Sequence, residues 1–280
     1  MRRRAQSKLL LFVRAGLATI PRGPVYLGDH TALVATRWGG VLLVDTRDLL
    51  FAPTVLLHGV WEPEVTDWVQ STLRPGQVFV DIGANVGYYS LLAARLVGPG
   101  GRVVSVEAHP HSADMLRRNI VLNGFSEWVT TWQRAAWSGT EMMSFYLRSH
   151  FAGNSSAGSI PEEGLARLGD SEQVVKVQGV AVDDLLTDLP KIDVIKIDVE
   201  GAEVRALSGL SHTLSMNPDI RVMFEWSPGQ LELVGDEPRR LIDLLVGKGL
   251  RFRLLKKGGL RPVTPSQLLE IPYGNVVAAH

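Results

Sequence analysis

The stretch Val78-Phe79-Val80-Asp81-Ile82-Gly83-Ala84-Asn85-Val86-Gly87-Tyr88-Tyr89-Ser90 constrains the fold of this chain more than any other. Val78 to Val80 is a short apolar run of the kind that forms a parallel strand buried on both faces. The run stops at Asp81, and the small residues Gly83, Ala84 and Gly87 follow. Leu91, Leu92 and Leu96 then recur at helical spacing until Gly98-Pro99 ends the helix. Strand, glycine-rich turn and helix make up the first unit of a nucleotide-binding α/β fold. The glycines let a ligand approach the backbone, and the helix start offers free N–H groups.

The residues of the turn separate two cofactor classes. A dinucleotide fingerprint needs glycines in the order G-x-G-x-x-G, but Asn85 stands where the middle glycine would be. Asp81 would also meet a pyrophosphate with like charge. Asp-x-Gly-x-Asn-x-Gly suits instead a ligand without phosphate and with a cationic end, and S-adenosylmethionine (SAM) has both properties. A plain strand-to-helix turn is the bland alternative, disfavoured because an acid on a buried strand is costly without a role. Further acid-ended strands follow: Arg102 to Glu107, Ile192 to Asp198 with Glu200 beyond it, and Ile220 to Glu225. Acids at the carboxyl ends of neighbouring strands line the crevice where open α/β sheets bind ligands, and Glu107 is placed to accept from a ribose diol.

Asp81 to Ser90, then Lys196-Ile197-Asp198-Val199-Glu200-Gly201-Ala202-Glu203, then Phe224-Glu225, resemble the FkbM family of SAM-dependent methyltransferases. The resemblance covers roughly residues 56 to 278 and includes Gly59-Val60-Trp61-Glu62-Pro63-Glu64. It implies an α/β class I methyltransferase (Rossmann-like) domain: a seven-stranded, mostly parallel sheet with helices on both faces. It also implies O-methylation of a hydroxyl on a natural product or on a sugar of a glycolipid or glycan. On this pattern the cofactor falls to Asp81, Gly83, Asn85, Gly87 and Tyr88, with Glu107 and Ala108 at the ribose. Gln133 and Ala135 fall at the adenine, and Glu62, or its neighbour Glu64, at the methionine amino group. The other functional readings are a SAM-binding module without catalysis and, less well supported by Asn85, a nicotinamide-dependent oxidoreductase.

Residues 56–280 form the expected catalytic domain, and residues 1–55 an extension. Within the extension, Ala32 to Thr36 and Val41 to Val44 flank Arg37-Trp38-Gly39-Gly40, a hairpin signal. Ahead of it, Arg2, Arg3, Arg4, Lys8, Arg14 and Arg22 surround the apolar Leu9 to Val13. That run is too short to span a bilayer. A basic amphipathic helix of residues 1–20 lying on an anionic membrane is one expectation; packing on the domain or against a second copy is the other. With 29 basic and 29 acidic residues, the balance gives no reason to expect a nucleic-acid partner. The absence of cysteine removes disulfides, thiolate metal sites and a thiol nucleophile. A cytoplasmic location, peripheral to the inner membrane face if the basic helix binds there, fits these features.

Chemistry at the acceptor requires a proton to leave the hydroxyl during transfer, and a carboxylate within hydrogen-bond reach can take it. Asp198 and Glu225 are the candidates, because their strands neighbour one another in the expected order. Glu200 is positioned to share that work or to contact substrate. The same carboxylates, Asp198 and Glu225, could instead hold Mg²⁺ to orient and acidify the hydroxyl.

Overall fold

The computed structural model describes residues 23–189 and 191–280. The basic helix expected in residues 1–20 lies outside the described residues. In chain order the elements begin with β1 (Val25–Gly28), β2 (Thr31–Ala35), β3 (Val41–Asp45), α1 (Phe51–His58) and α2 (Pro63–Thr72). Then come β4 (Val78–Ile82), α3 (Tyr88–Val97), β5 (Arg102–Glu107), α4 (Pro110–Leu122) and β6 (Val129–Gln133). The middle of the chain holds β7 (Ala135–Trp137), β8 (Glu141–Arg148), α5 (Glu162–Leu168), β9 (Glu172–Ala181) and β10 (Val194–Ile197). The rest is α6 (Glu203–Ser208), α7 (Ser211–Met216), β11 (Arg221–Trp226), α8 (Pro228–Leu233), α9 (Pro238–Val246), β12 (Arg251–Lys256), β13 (Gly259–Val263), α10 (Pro265–Leu269) and β14 (Gly274–Ala279).

The main sheet runs β6-β5-β4-β10-β11-β14-β12-β13. Strands β6, β5, β4, β10 and β11 pair in parallel, and β14 is inserted antiparallel between β11 and β12. This is the class I methyltransferase fold, with eight strands rather than the expected seven. The extra strand β13 turns back on β12 through Lys257-Gly258 and extends the edge.

Period-2 alternation sorts the strand residues between two layers. Val80, Ile82, Val104, Val106, Ile195 and Ile197 face one way, against Val204, Leu207, Leu241 and Leu245 of α6 and α9. Phe79 and Val103 face the other, against Trp68, Leu91, Leu92 and Leu116 of α2, α3 and α4. Phe79 is fully buried, a burial worth about 1.5–3 kcal/mol.

Two smaller sheets flank this core. The expected hairpin is β2 with β3, joined by β1 into three strands. Its exposed backbone is closed by two asparagines one turn apart on α4: Asn119 bonds both Leu43 N–H and Leu43 C=O, and Asn123 does the same at Val41. The extension therefore caps a helix face. Strand β9 belongs to a separate sheet, β7-β9-β8, beyond the end of β6. Between its strands, α5 occupies part of the stretch 160–173, and the loop 149–157 with a short 3₁₀ turn at Ala152–Asn154 returns toward the main sheet. No described helix is long and apolar enough to cross a membrane.

Candidate active site

A cleft of about 1220 Å³, counted to its open mouth, sits at the carboxyl ends of β4, β5, β10 and β11. Its floor is the turn after β4. Gly83 has φ +78°, and a Cβ there would lie 1.7 Å from the Asp198 carbonyl oxygen, so only glycine lets the β4 and β10 turns meet. Glu62, Asn85 and Glu200 have φ of 37°, 49° and 53°, and all three line the cleft. A left-handed backbone at non-glycine residues is costly and collects at ligand-binding sites.

One wall is suited to a nucleoside. Glu107 closes β5, and its two carboxylate oxygens accept from Asn85 N–H and His109 N–H, both at 2.7 Å. Burial is the main reason its pKa rises to about 7. Each oxygen keeps a lone pair for a further donor, as a vicinal diol requires. Ala108, Ala135, Trp137, Met143 and Phe145 continue this wall as an apolar surface.

The other end is acidic, built around one buried cation. Lys196 on β10 is 4% exposed; its Nζ lies 2.9 Å from Asp198 Oδ2 and 4.9 Å from the Tyr89 ring centre. Burial opposes its charge, but Asp198, Asp81 and Glu62 outweigh that and hold its pKa above the ordinary lysine range. Glu62 accepts from Tyr89 Oη at 2.9 Å and from Asn275 Nδ2 at 3.3 Å. Burial first, then Asp198, raises its pKa.

Asp198, Glu200 and Glu225 each place a carboxylate oxygen within 4.8 Å of the other two. Glu225 Oε1 accepts from Tyr273 Oη at 2.7 Å, while Oε2 is buried with no hydrogen-bond partner among the described residues. Glu200 accepts from Asn154 Nδ2 and Gln230 Nε2. Burial and then mutual repulsion push both glutamates well above the ordinary carboxylate range: Glu225 and Asp198 act on Glu200, and Asp198 and Glu203 act on Glu225. Carboxylates so close do not all ionise alone; they share protons or hold a cation.

Most of the residues singled out in the sequence converge here. Glu62, Gly83, Asn85, Tyr88, Glu107, Ala108, Ala135, Asp198, Glu200 and Glu225 all line the cleft. Asp81, Gly87 and Gln133 do not. Asp81 shares the Phe79 face of β4, two residues before the level of Asp198, and is fully buried. It accepts from Ser90 Oγ at 2.6 Å, and Ser90 in turn accepts from Ser105. Its charge supports Lys196 from inside the protein. A Cβ on Gly87 would lie 2.5 Å from Leu116, so that glycine serves close packing of α3 on α4. Gln133 is exposed at the end of β6, and the chain reaches the cleft at Arg134 and Ala135. Glu64 is exposed in the first turn of α2.

Lys196 and Tyr273 are among the participants that were not singled out as site residues. Lys196 carried a signal, a cation inside the apolar run Val194-Ile195-Lys196-Ile197. Tyr273 lies 48 positions from Glu225, and nothing in the local pattern links them.

A family model, the methyltransferase FkbM domain, matches residues 81–254. The chain is similar to the 31-O-demethyl-FK506 methyltransferase FkbM of Streptomyces tacrolimicus, 31% identical over 159 residues, 49% of this chain and 61% of that protein. It is also similar to the methyltransferase sdnD of Sordaria araneosa, 29% identical over 163 residues, 50% and 62% of the two chains. A protein-L-isoaspartate O-methyltransferase of Methanopyrus kandleri is 41% identical over 56 residues, 20% of this chain and 25% of that one. The chain thus spans less than two thirds of the length of these curated relatives. A SAM-dependent O-methyltransferase structure from Thermotoga maritima superposes with a TM-score of 0.44 at 13% identity, covering 92% of this chain and 93% of that one. The family match extends from the acid on β4 through the Lys196–Glu203 segment and Glu225 to β12, and on it the chain belongs to the FkbM methyltransferase family.

Proposed function

We propose that this chain binds SAM in the cleft and methylates a hydroxyl of a small-molecule natural product or of a sugar in a glycolipid or glycan. Bound there, SAM supplies a methyl group already activated by its sulfonium. Glu107 would hold the ribose diol, Ala135 and Trp137 would flank the adenine, and Glu62 with Asp198 would neutralise the amino end. The relative whose name specifies 31-O-demethyl-FK506 as acceptor supports an oxygen of a small molecule as the methylated atom.

The observation that carries the reading is the state of Glu225. Asp198 is committed to Lys196, and Glu200 is held by Asn154 and Gln230. Among the described acids that line the cleft, Glu225 combines a raised pKa with a buried oxygen lacking a partner. Such a carboxylate accepts a proton readily, and a base is most effective when its pKa lies near the working pH. A cation entering the cleft favours its ionised form, so cofactor binding arms the base. Tyr273 fixes the carboxylate's orientation while leaving Oε2 for the acceptor.

The close approach of Asp198, Glu200 and Glu225 also supports a second reading, in which these oxygens hold Mg²⁺. Methyl transfer from labelled SAM, before and after EDTA, separates the two; the base reading requires unchanged turnover. Glu225→Gln should bind S-adenosylhomocysteine normally and lose about 10²–10⁴ in turnover. Full turnover in that variant would rule out Glu225 as the base. Calorimetry should show binding of S-adenosylhomocysteine and none of NAD.

A further inference from the structure

A second cavity of about 720 Å³, counted to its open mouth, lies against the first, and Leu50, Asn154 and Glu200 line both. Glu200 is thus a shared wall between this chamber and the carboxylate cluster. The chamber's apolar lining includes three leucines that fold into no core: Leu50, Leu168 and Leu233 are 46%, 51% and 49% exposed. They come from the loop before α1, from α5 and from α8, elements far apart in the chain. Its polar residues Arg148, Asp170 and Gln230 each carry one buried atom with no hydrogen-bond partner among the described residues: Nη1, Oδ2 and Oε1 respectively. Arg148 is 5% exposed, and its Nη1 pairs electrostatically with Glu172 Oε1 at 3.4 Å without making a hydrogen bond to it. Buried polar atoms rarely stay unpaired without a reason, and here three line one chamber.

We propose that this chamber binds the body of the acceptor, and that the acceptor is an amphipathic molecule, apolar over most of its surface and bearing several oxygen functions. This rests on the methyl-transfer reading above and narrows it. The leucines would cover an apolar skeleton and gain burial that they lack in the free chain. Arg148 donates, so it matches a carbonyl, ether or acidic oxygen; Gln230 Oε1 and Asp170 Oδ2 accept, so they match hydroxyl donors. A molecule seated here reaches the catalytic carboxylates past Glu200. A bare sugar or glycan would leave the leucines uncovered, so among the proposed acceptors the chamber selects those that carry an apolar body.

The probe is n-octyl β-D-glucoside, titrated calorimetrically below its micellar range into the full-length chain saturated with S-adenosylhomocysteine. One saturable site is expected, with glucose alone giving none. Leu168→Trp and Leu233→Trp, both at half-exposed positions that a larger side chain can occupy without disturbing the core, should each weaken the probe at least tenfold. Affinity for S-adenosylhomocysteine should not change. Absence of saturable probe binding by the parent chain, equal binding of glucose, or indifference to both tryptophans overturns the chamber. Failure of S-adenosylhomocysteine to bind overturns the methyl-transfer reading instead, and the probe titration without it then decides the chamber separately.

Discussion

Glu203 opens α6 and is 1% exposed, with Oε1 accepting from Val199 N–H and Gly201 N–H at 3.1 and 3.4 Å. It braces the turn that carries Asp198 and Glu200. Burial is the chief cause of its pKa rising from 4.5 to about 7. At about 1.4 kcal/mol per pH unit, ionising it in the fold costs roughly 3 kcal/mol. A carboxyl whose folded pKa is raised stabilises the fold fully below its unfolded pKa, and that contribution is lost as pH rises through the folded value. The parent chain should therefore lose roughly 3 kcal/mol on this account between about pH 4.5 and 7. Glu203→Gln keeps the acceptor oxygen and removes the titration. Urea unfolding from pH 4.5 to 8 should show the variant gaining on the parent by roughly that amount, with most of the gain below pH 7. The charge of Glu203 also raises Glu200 and Glu225, so the acid limb of the variant's pH–rate profile should move to lower pH. Parallel stability curves with an unmoved acid limb would refute the placement of a titrating carboxyl beneath the turn that carries Asp198 and Glu200.

Three further outcomes follow from the same geometry. Glu107→Gln should weaken S-adenosylhomocysteine binding about 10- to 100-fold at pH 8, since hydrogen bonds to a charged acceptor contribute about 1.5–3 kcal/mol. Because Glu107 protonates near pH 7, the parent's affinity should fall toward the variant's as pH drops through that value, as calorimetry across pH would show. Gly83→Ala forces a methyl group onto the Asp198 carbonyl and should cost about 3 kcal/mol or more in urea unfolding. Asp81→Asn weakens the counter-charge of a buried lysine that keeps Asp198, and should cost about 3 kcal/mol of stability. It should leave the S-adenosylhomocysteine dissociation constant unchanged in protein that remains folded, because Asp81 lies outside the cleft.

The sequence by itself determined the architecture and the chemical character of the site. Val78 to Leu96 carries a strand, a turn and a helix in a local pattern, and neighbouring strand ends repeat an acid at the same level. Such signals are readable because strand parity, helical period and turn chemistry act between residues close in the chain. Which acid faces the ligand is decided elsewhere. Asp81 and Asp198 look alike in sequence, yet the pairing of β4 with β10 sets Asp81 opposite Lys196, one residue short of the turn. That offset of two residues between Asp81 and Asp198 buries one carboxylate and opens the other to the cleft. The partnership of Tyr273 with Glu225, the Asn154 contact with Glu200 and the chamber framed by Leu50, Leu168 and Leu233 likewise exist only after folding. Each joins segments tens of residues apart, and their meeting is set by the packing of the flanking loops on the sheet, which no local pattern encodes.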